Sequence, residues 1–307
     1  MRKSTVLITP SPTQTPLVWG LLVLLALVWG SSFIMIKKSL LVYSVTEVAA
    51  GRVFLAFVFF LPILLKSRKS IPRPLLGYFF LSGLLGYLLP AFLIAFATTQ
   101  ISSALAGTLN ALSPMFTMII GVLFFTQRST RLQTIGLLIA LAGALMLVFT
   151  RNGSVSFTGV NSYALLAVLA TVCYGTNINL VARHFGGLPP LVSTAWIFAG
   201  VGPLSFGILL ATDFFPKMSN PDNLLPSLFM ICLGVLASGL MSVLFNRVIQ
   251  LSSAVFAASV TYLMPIVALS WGLLDHESVG VLQWIGTLII LVGVYLINRR
   301  KRSQENT

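Results

Sequence analysis

Ten stretches of about 20 residues, nearly all free of charge, follow one another along this chain at approximately 17–36, 45–65, 75–96, 102–125, 132–150, 161–182, 188–211, 224–246, 253–274 and 279–298. A helix needs about 20 apolar residues to cross a hydrocarbon core of roughly 30 Å. Only helices and closed barrels can satisfy their backbone groups in lipid, and runs of this length read as helices. Hydrophobic residues fill 57% of the 307 positions and charged residues only 8%, where a soluble domain has about a quarter charged. Water is therefore not the main solvent. The expected fold is an all-α membrane protein of ten transmembrane helices.

The formal charge of +13 is explained by where the basic residues lie. With the N-terminus inside, the cytoplasmic segments hold Arg2, Lys3, Lys66, Arg68, Lys69, Arg73, Arg128, Arg131, Arg183, Arg247, Arg299, Arg300, Lys301 and Arg302, while the opposite face holds only Lys37, Lys38, Arg151 and Lys217. Fourteen against four is the bias of the positive-inside rule. An even number of spans returns the C-terminus to the same side, so both termini are expected in the cytoplasm and the protein in the cell (inner) membrane. Glu47, Asp213, Asp222, Asp275 and Glu277 lean to the outer face. Such placement speaks for a lipid bilayer as partner and against nucleic acid.

Met1, Arg2 and Lys3 precede an apolar run, as in a signal peptide. That run is too long for a signal h-region, is set apart from the basic pair by a Pro/Thr-rich spacer, and is followed by nine further spans. Cys173 and Cys232 both fall inside predicted helices, where packing is their simplest role.

A repeat organises the ten spans. Leu132-Gln133-Thr134-Ile135-Gly136-Leu137-Leu138-Ile139-Ala140-Leu141-Ala142-Gly143 recurs 150 residues later as Leu282-Gln283-Trp284-Ile285-Gly286-Thr287-Leu288-Ile289-Ile290-Leu291-Val292-Gly293, with eight of twelve positions identical. The same offset aligns Gln100 with Gln250 and Ser102-Ser103-Ala104 with Ser252-Ser253-Ala254. The chain reads as a cytoplasmic tail (1–16), a first five-helix unit (17–150), a second (151–298) and a basic cytoplasmic tail (299–307). A five-helix unit that starts inside ends outside, so its copy must sit upside down. Two inverted repeats suit alternating access, because exchanging their conformations turns an inward-open protein into an outward-open one.

These residues resemble the EamA-type members of the drug/metabolite transporter superfamily, over essentially the whole chain. The resemblance is carried by Trp29-Gly30-Ser31-Ser32-Phe33 closing helix one, by Arg52 and the apolar run after it, and by the stretch from Ala97 through Gln100-Ile101-Ser102-Ser103-Ala104 to Pro114. Ser252-Ser253-Ala254 to Pro265, followed by Glu277, repeats it in the second half. The resemblance implies ten helices, both termini inside, and secondary transport, commonly export, of amino acids or other small metabolites; no cofactor is expected. Two departures stand out. Gln127 occupies a place where the family often has Glu, and helix one lacks the acid that the small multidrug-resistance branch embeds in the membrane.

Candidate site residues gather at mid-membrane depth. Pro114 and Pro265 kink helices four and nine at nearly equivalent places, and each frees the carbonyl four residues earlier, on Asn110 and Thr261. Ser32, Asn110, Ser113, Asn177, Ser238, Ser242, Thr261 and Tyr262 lie near the same level. Such side chains read an amine and a carboxylate without burying a fixed charge, though each alone also suits hydrogen bonding between helices. Trp29, Tyr87 and Trp196 offer apolar walls. Arg52, the one charge plainly inside a span, lies seven residues, or roughly 10 Å, below the outer end of helix two. It reads as a residue snorkelling to the headgroups, as a contact for a substrate carboxylate, or as an outer gate with Glu47, which is five positions earlier and off the same helical face.

Three function classes remain: a carrier, a channel or non-transporting membrane partner, and an intramembrane enzyme. The enzyme lacks its parts, since His184 and His276 fall on opposite faces and no metal-ligand cluster or GxSxG turn is present in the sequence. The expected protein is a secondary transporter of a small-molecule substrate, and a homodimer is left open.

Overall fold

A computed structural model of the chain describes residues 16–68, 72–127, 129–151, 154–155, 161–252, 254–277 and 279–298. Nine helices among the described residues are long and apolar enough to cross a membrane. They are α1 (Pro16–Ser39), α2 (Val45–Ser67), α3 (Arg73–Ala97), α4 (Ser103–Phe124), α5 (Arg131–Val148), α6 (Ser162–His184), α7 (Pro190–Leu210), α8 (Pro221–Leu251) and α9 (Phe256–Leu274). A shorter apolar helix, α10 (Val281–Asn298), follows. Each answers one of the ten expected spans, and a short helix, Phe214–Ser219, joins α7 to α8. The departures from helix among the described residues are loops and a two-residue antiparallel pairing of Thr150–Arg151 with Ser154–Val155. The tails and the second-half Ser253 lie outside the described residues.

Local sequence sets where helices start. Ser44 caps α2, its hydroxyl accepting from Glu47 N at 3.2 Å while the Glu47 carboxylate accepts from Ser44 N at 2.6 Å. Thr130 and Gln133 form the same reciprocal box ahead of α5. Ser102 caps α4 by accepting from Leu105 N, and the Asn161 side chain caps α6.

Four helices change their winding partway, in matched places of the two halves. π-Helical turns interrupt α3 at Leu84–Leu88 and α8 at Cys232–Leu240. Tight 3-10 turns interrupt α4 at Asn110–Leu112 and α9 at Ser259–Tyr262, and Pro114 and Pro265 then sit in the first turn of the restarted helix. Proline has no N–H to give an i−4 carbonyl, so the preceding residues close shorter hydrogen bonds instead. Both predicted kinks are therefore helix breaks with a fresh N-terminus. The freed carbonyl expected at Asn110 is not free: it accepts from the Ser113 N–H, and from Ser113 Oγ at 2.8 Å.

The packing carries the imprint of duplication. α2 lies on α7, α4 on α9 and α5 on α10, each a helix against its own counterpart. The contacts of α1 with α8 and α9 are mirrored by those of α6 with α3 and α4. At the α5–α10 interface, a Cβ added to Gly136 would lie 2.5 Å from the Gly293 carbonyl oxygen, and one added to Gly143 would lie 2.9 Å from that of Gly286. The lower number of one helix meets the higher of the other, so α5 and α10 run antiparallel, as inverted copies require. Thr126 and His276, with φ of 54° and 57°, turn the chain at the ends of α4 and α9, again 150 residues apart. Large apolar side chains such as Leu138, Leu145, Leu288 and Val292 stay exposed on the outer faces of α5 and α10, the surface a lipid-facing helix presents.

Candidate functional site

A cavity of about 110 Å³ opens between α1, α2, α3, α4, α6, α8 and α9. The winding changes line it. Gly86 and Tyr87 come from the π turn of α3, Ala237 and Ser238 from that of α8, Asn110 from the 3-10 turn of α4, and Val260 and Thr261 from that of α9. Irregular backbone at membrane depth is tolerated where it borders such a cavity.

Ser32, Asn110, Ser113, Asn177, Ser238 and Thr261 all line the cavity, together with Arg52, Ser242, Trp29 and Tyr87. Tyr262 does not. It points the other way, its hydroxyl donating to the Val294 carbonyl of α10, because a break ahead of Pro265 turns successive side chains to different helices. Trp196 is also absent from the lining and donates to Ser67 Oγ at 3.0 Å.

Glu47 is corrected as well. It is buried, holds the α2 cap, and accepts two hydrogen bonds from Lys217 Nζ at 2.8 and 3.1 Å. Arg52 instead donates from Nε to Ser238 Oγ at 2.9 Å. The five-residue spacing puts the two side chains on different faces of α2, and they do not pair with each other in this structure.

Hydrogen bonding already commits much of this polarity. Ser32 Oγ donates to Trp29 O, Ser113 Oγ to Asn110 O, and Thr261 Oγ1 to Ala258 O, so these hydroxyls keep lone pairs but have spent their protons. Asn177 Oδ1 accepts from Ser82 Oγ, and its amide packs on the bare Cα of Gly86, where a Cβ would meet Nδ2 at 2.2 Å. Trp29 Nε1 donates to the Ala237 carbonyl at 2.8 Å, and its ring meets Phe245 edge-on at 5.0 Å. Asn110 is 5% exposed; its Nδ2 reaches only Met264 Sδ at 3.7 Å, and its Oδ1 has no partner.

Sequence reasoning missed Tyr174 and Gly86 in the lining. Tyr174-Gly175 is the second copy of Trp29-Gly30, at an offset of 145 instead of 150. Gly30 packs on Met264 O and Val267, and Gly175 on Phe116 and Thr117 N, with Thr117 and Val267 150 positions apart.

The two ends of the bundle are fastened differently. At one, Lys37 pairs with Asp275 at 2.8 Å and with Glu277 at 2.7 Å, and Lys38 pairs with Asp275. Glu277 also accepts from Ser103 N, Ser103 Oγ and Ala104 N at 3.0, 2.9 and 3.1 Å, lying across the N-terminus of α4. Burial would raise its pKa, but Lys37 and these donors outweigh burial and hold the carboxyl below its ordinary value. Hydrogen bonds from Lys37 and Lys38 hold Asp275 low too. At the other end, Gln127 occupies the place of Glu277, folds over Gly121 as Glu277 folds over Gly272, and donates to Asn179 Oδ1 at 3.0 Å. Asn246 there donates to Thr194 Oγ1 at 2.9 Å, and Gln250 to Leu188 O at 2.8 Å. Among the described residues, the ion pairs leave this end to neutral amides.

Comparison with known proteins identifies the family. The sequence pattern of the EamA-like transporter family matches residues 17–149 and again 161–299, one match for each half. The uncharacterized inner membrane transporter YedA of Escherichia coli (strain K12) is 27% identical, with 92% of this chain and 91% of that protein covered. A probable terminal-alkyne amino-acid exporter of Streptantibioticus cattleyicolor is 24% identical, with 92% and 93% covered. A probable amino-acid metabolite efflux pump of Salmonella typhimurium is 25% identical, with 90% and 93% covered. One solved crystal structure shares the fold, at a TM-score of 0.65 and 17% identity over 94% of this chain and 97% of the other. The chain is a multi-pass membrane protein and belongs to the EamA-like transporter family.

Proposed function

We propose that this protein exports a small polar metabolite, an amino acid or related compound, across the cytoplasmic membrane by alternating access through the central cavity. The observation that carries this reading is the pair of closures at equivalent positions, Glu277 with Lys37 at one end and Gln127 with Asn179 at the other, with the polar cavity between them. A fold of two matched halves has two matched mouths, and opening one while the other stays fastened moves the cavity from side to side. The excess of basic residues favours a cytoplasmic position for the Gln127 end. The named amino-acid exporters among the relatives favour outward movement of an amino-acid-like compound.

Among the lining residues the titratable side chains are Arg52, Tyr87 and Tyr174, and none of the three ordinarily changes charge near neutral pH. This favours facilitated or exchange transport over a proton carried in the cavity. Concentrative uptake driven by an imposed pH gradient, and lost in Glu47→Gln, would sink that part of the reading.

The test is release from proteoliposomes loaded with amino acids, nucleobases and small sugars. Wild type is expected to release one class selectively, with Asn110→Leu reducing that release to the level of empty vesicles. Wild type matching empty vesicles for every compound would overturn the carrier.

A further inference from the structure

Among the described residues, Arg52 forms no ion pair. The carboxylates that form ion pairs among the described residues are engaged elsewhere, Glu47 with Lys217, and Asp275 and Glu277 with Lys37 and Lys38. Arg52 has instead the neutral hydroxyl of Ser238, and it borders the cavity. A charge at this depth is costly unless it is paired or hydrated, and such residues mark substrate sites.

The fold does not need a cation there. Gly234 packs over the Arg52 carbonyl as Gly83 packs over the Ile197 carbonyl, so Ile197 is the counterpart of Arg52 in the second half. An isoleucine meets the packing demand of that position. The bond from Nε to Ser238 fixes the plane of the guanidinium and leaves its two terminal nitrogens for another acceptor, the fork that suits a carboxylate.

A second group in the same cavity lacks a partner. Asn110 Oδ1 is buried without a hydrogen bond, and a buried acceptor of that kind calls for a donor. Arg52 stands on α2 and Asn110 on α4, so the two groups address a ligand from different helices. Trp29 and Phe245 add an aromatic wall.

We infer that the transported compound carries a carboxylate bound by Arg52 and a hydrogen-bond donor, such as an ammonium or N–H group, accepted by Asn110 Oδ1. This rests on the carrier reading, which is tested separately below. Exchange of the compound's hydration for these two groups is the recognition step, and no covalent chemistry is involved.

The test pairs acids with their amides. Purified protein in detergent is titrated with alanine, leucine and phenylalanine, with their carboxamides, and with 4-methylpentanoate, which is leucine without its amine; binding is followed by thermal shift. Wild type is expected to bind at least one of the acids at least tenfold more tightly than its amide. Arg52→Gln should remove that preference. Ser238→Ala, which keeps the charge and frees Nε, should weaken acid binding a few-fold and keep the inference testable if Arg52→Gln does not fold. Asn110→Leu should weaken binding of the amino acid but not of 4-methylpentanoate. Equal affinity for acid and amide in wild type, no binding of any acid, or a preference that survives in folded Arg52→Gln overturns the inference. Counterflow of the bound acid in proteoliposomes then separates the two readings. Binding with the expected preference but without counterflow leaves the carboxylate site standing and removes the carrier.

Discussion

Glu277 and Gln127 occupy the same place in the two halves, and only one of them is charged. That difference makes the Lys37 end an ionic closure and the opposite end an amide one. Replacing Glu277 by Gln removes charge-assisted bonds to Lys37 and to the α4 N-terminus, each worth about 1.5–3 kcal/mol. The expected result is a several-fold faster labelling, from the outer side, of a cysteine placed at Ser32 in a background without Cys173 and Cys232; unchanged labelling would show that Glu277 does not hold that end shut. The pH dependence has a definite sign. Glu277 and Asp275 are held below their ordinary values of 4.5 and 3.8. Their contribution to stability is complete above those values and is lost as pH falls through the lowered ones. Thermal melts in detergent should be flat near neutrality and fall below about pH 4, with a shallower fall in Glu277→Gln. Of these residues, Arg52 was readable from the sequence as a charge out of place, whereas its partner was not. Five residues along one helix argued against Glu47, but nothing local points to Ser238, 186 positions away.

Among the elements, α5 and α10 are held by backbone contact at glycines, and the cavity helices by their irregular turns. Gly136→Leu would force a side chain against the Gly293 carbonyl and Ile297 N, and overpacking of this kind costs about 1–3 kcal/mol. Gly207, with nothing within 4 Å of an added Cβ, is the control. Gly207→Ala should hold or raise the melting temperature while Gly136→Leu lowers it, and equal melts would refute close packing at Gly136. Two prolines in matched positions made the breaks in α4 and α9 legible in advance. The π turns of α3 and α8 were not: Pro90 follows the first, but no proline follows the second, and one extra residue in a turn leaves an apolar run unchanged in composition.

For the molecule as a whole, the testable statement is sidedness. Both termini are predicted on the cytoplasmic side, so green fluorescent protein fused after Thr307 should fluoresce and alkaline phosphatase fused there should stay inactive. The reverse pattern would invert the assignment of the two mouths. Duplication was visible through α4, α5, α9 and α10, where Gln, Ser and Gly punctuate the apolar runs in register. It was hidden between α1 and α6, where the offset shifts to 145 and Trp-Gly has become Tyr-Gly.

The sequence by itself determined the class of protein, the number of spans and the duplication. Each follows from hydrophobic run length, charge position or periodicity along one chain. The tertiary structure alone decided which polar groups face the cavity and which are already bonded. It turned Tyr262 to Val294 and Glu47 to Lys217, and it left Arg52 on the cavity wall with a neutral partner and Asn110 Oδ1 buried without one. The physical reason is that in lipid every polar group must find a partner, and that partner lies on another helix whose rotation and approach are set by packing, not by sequence spacing.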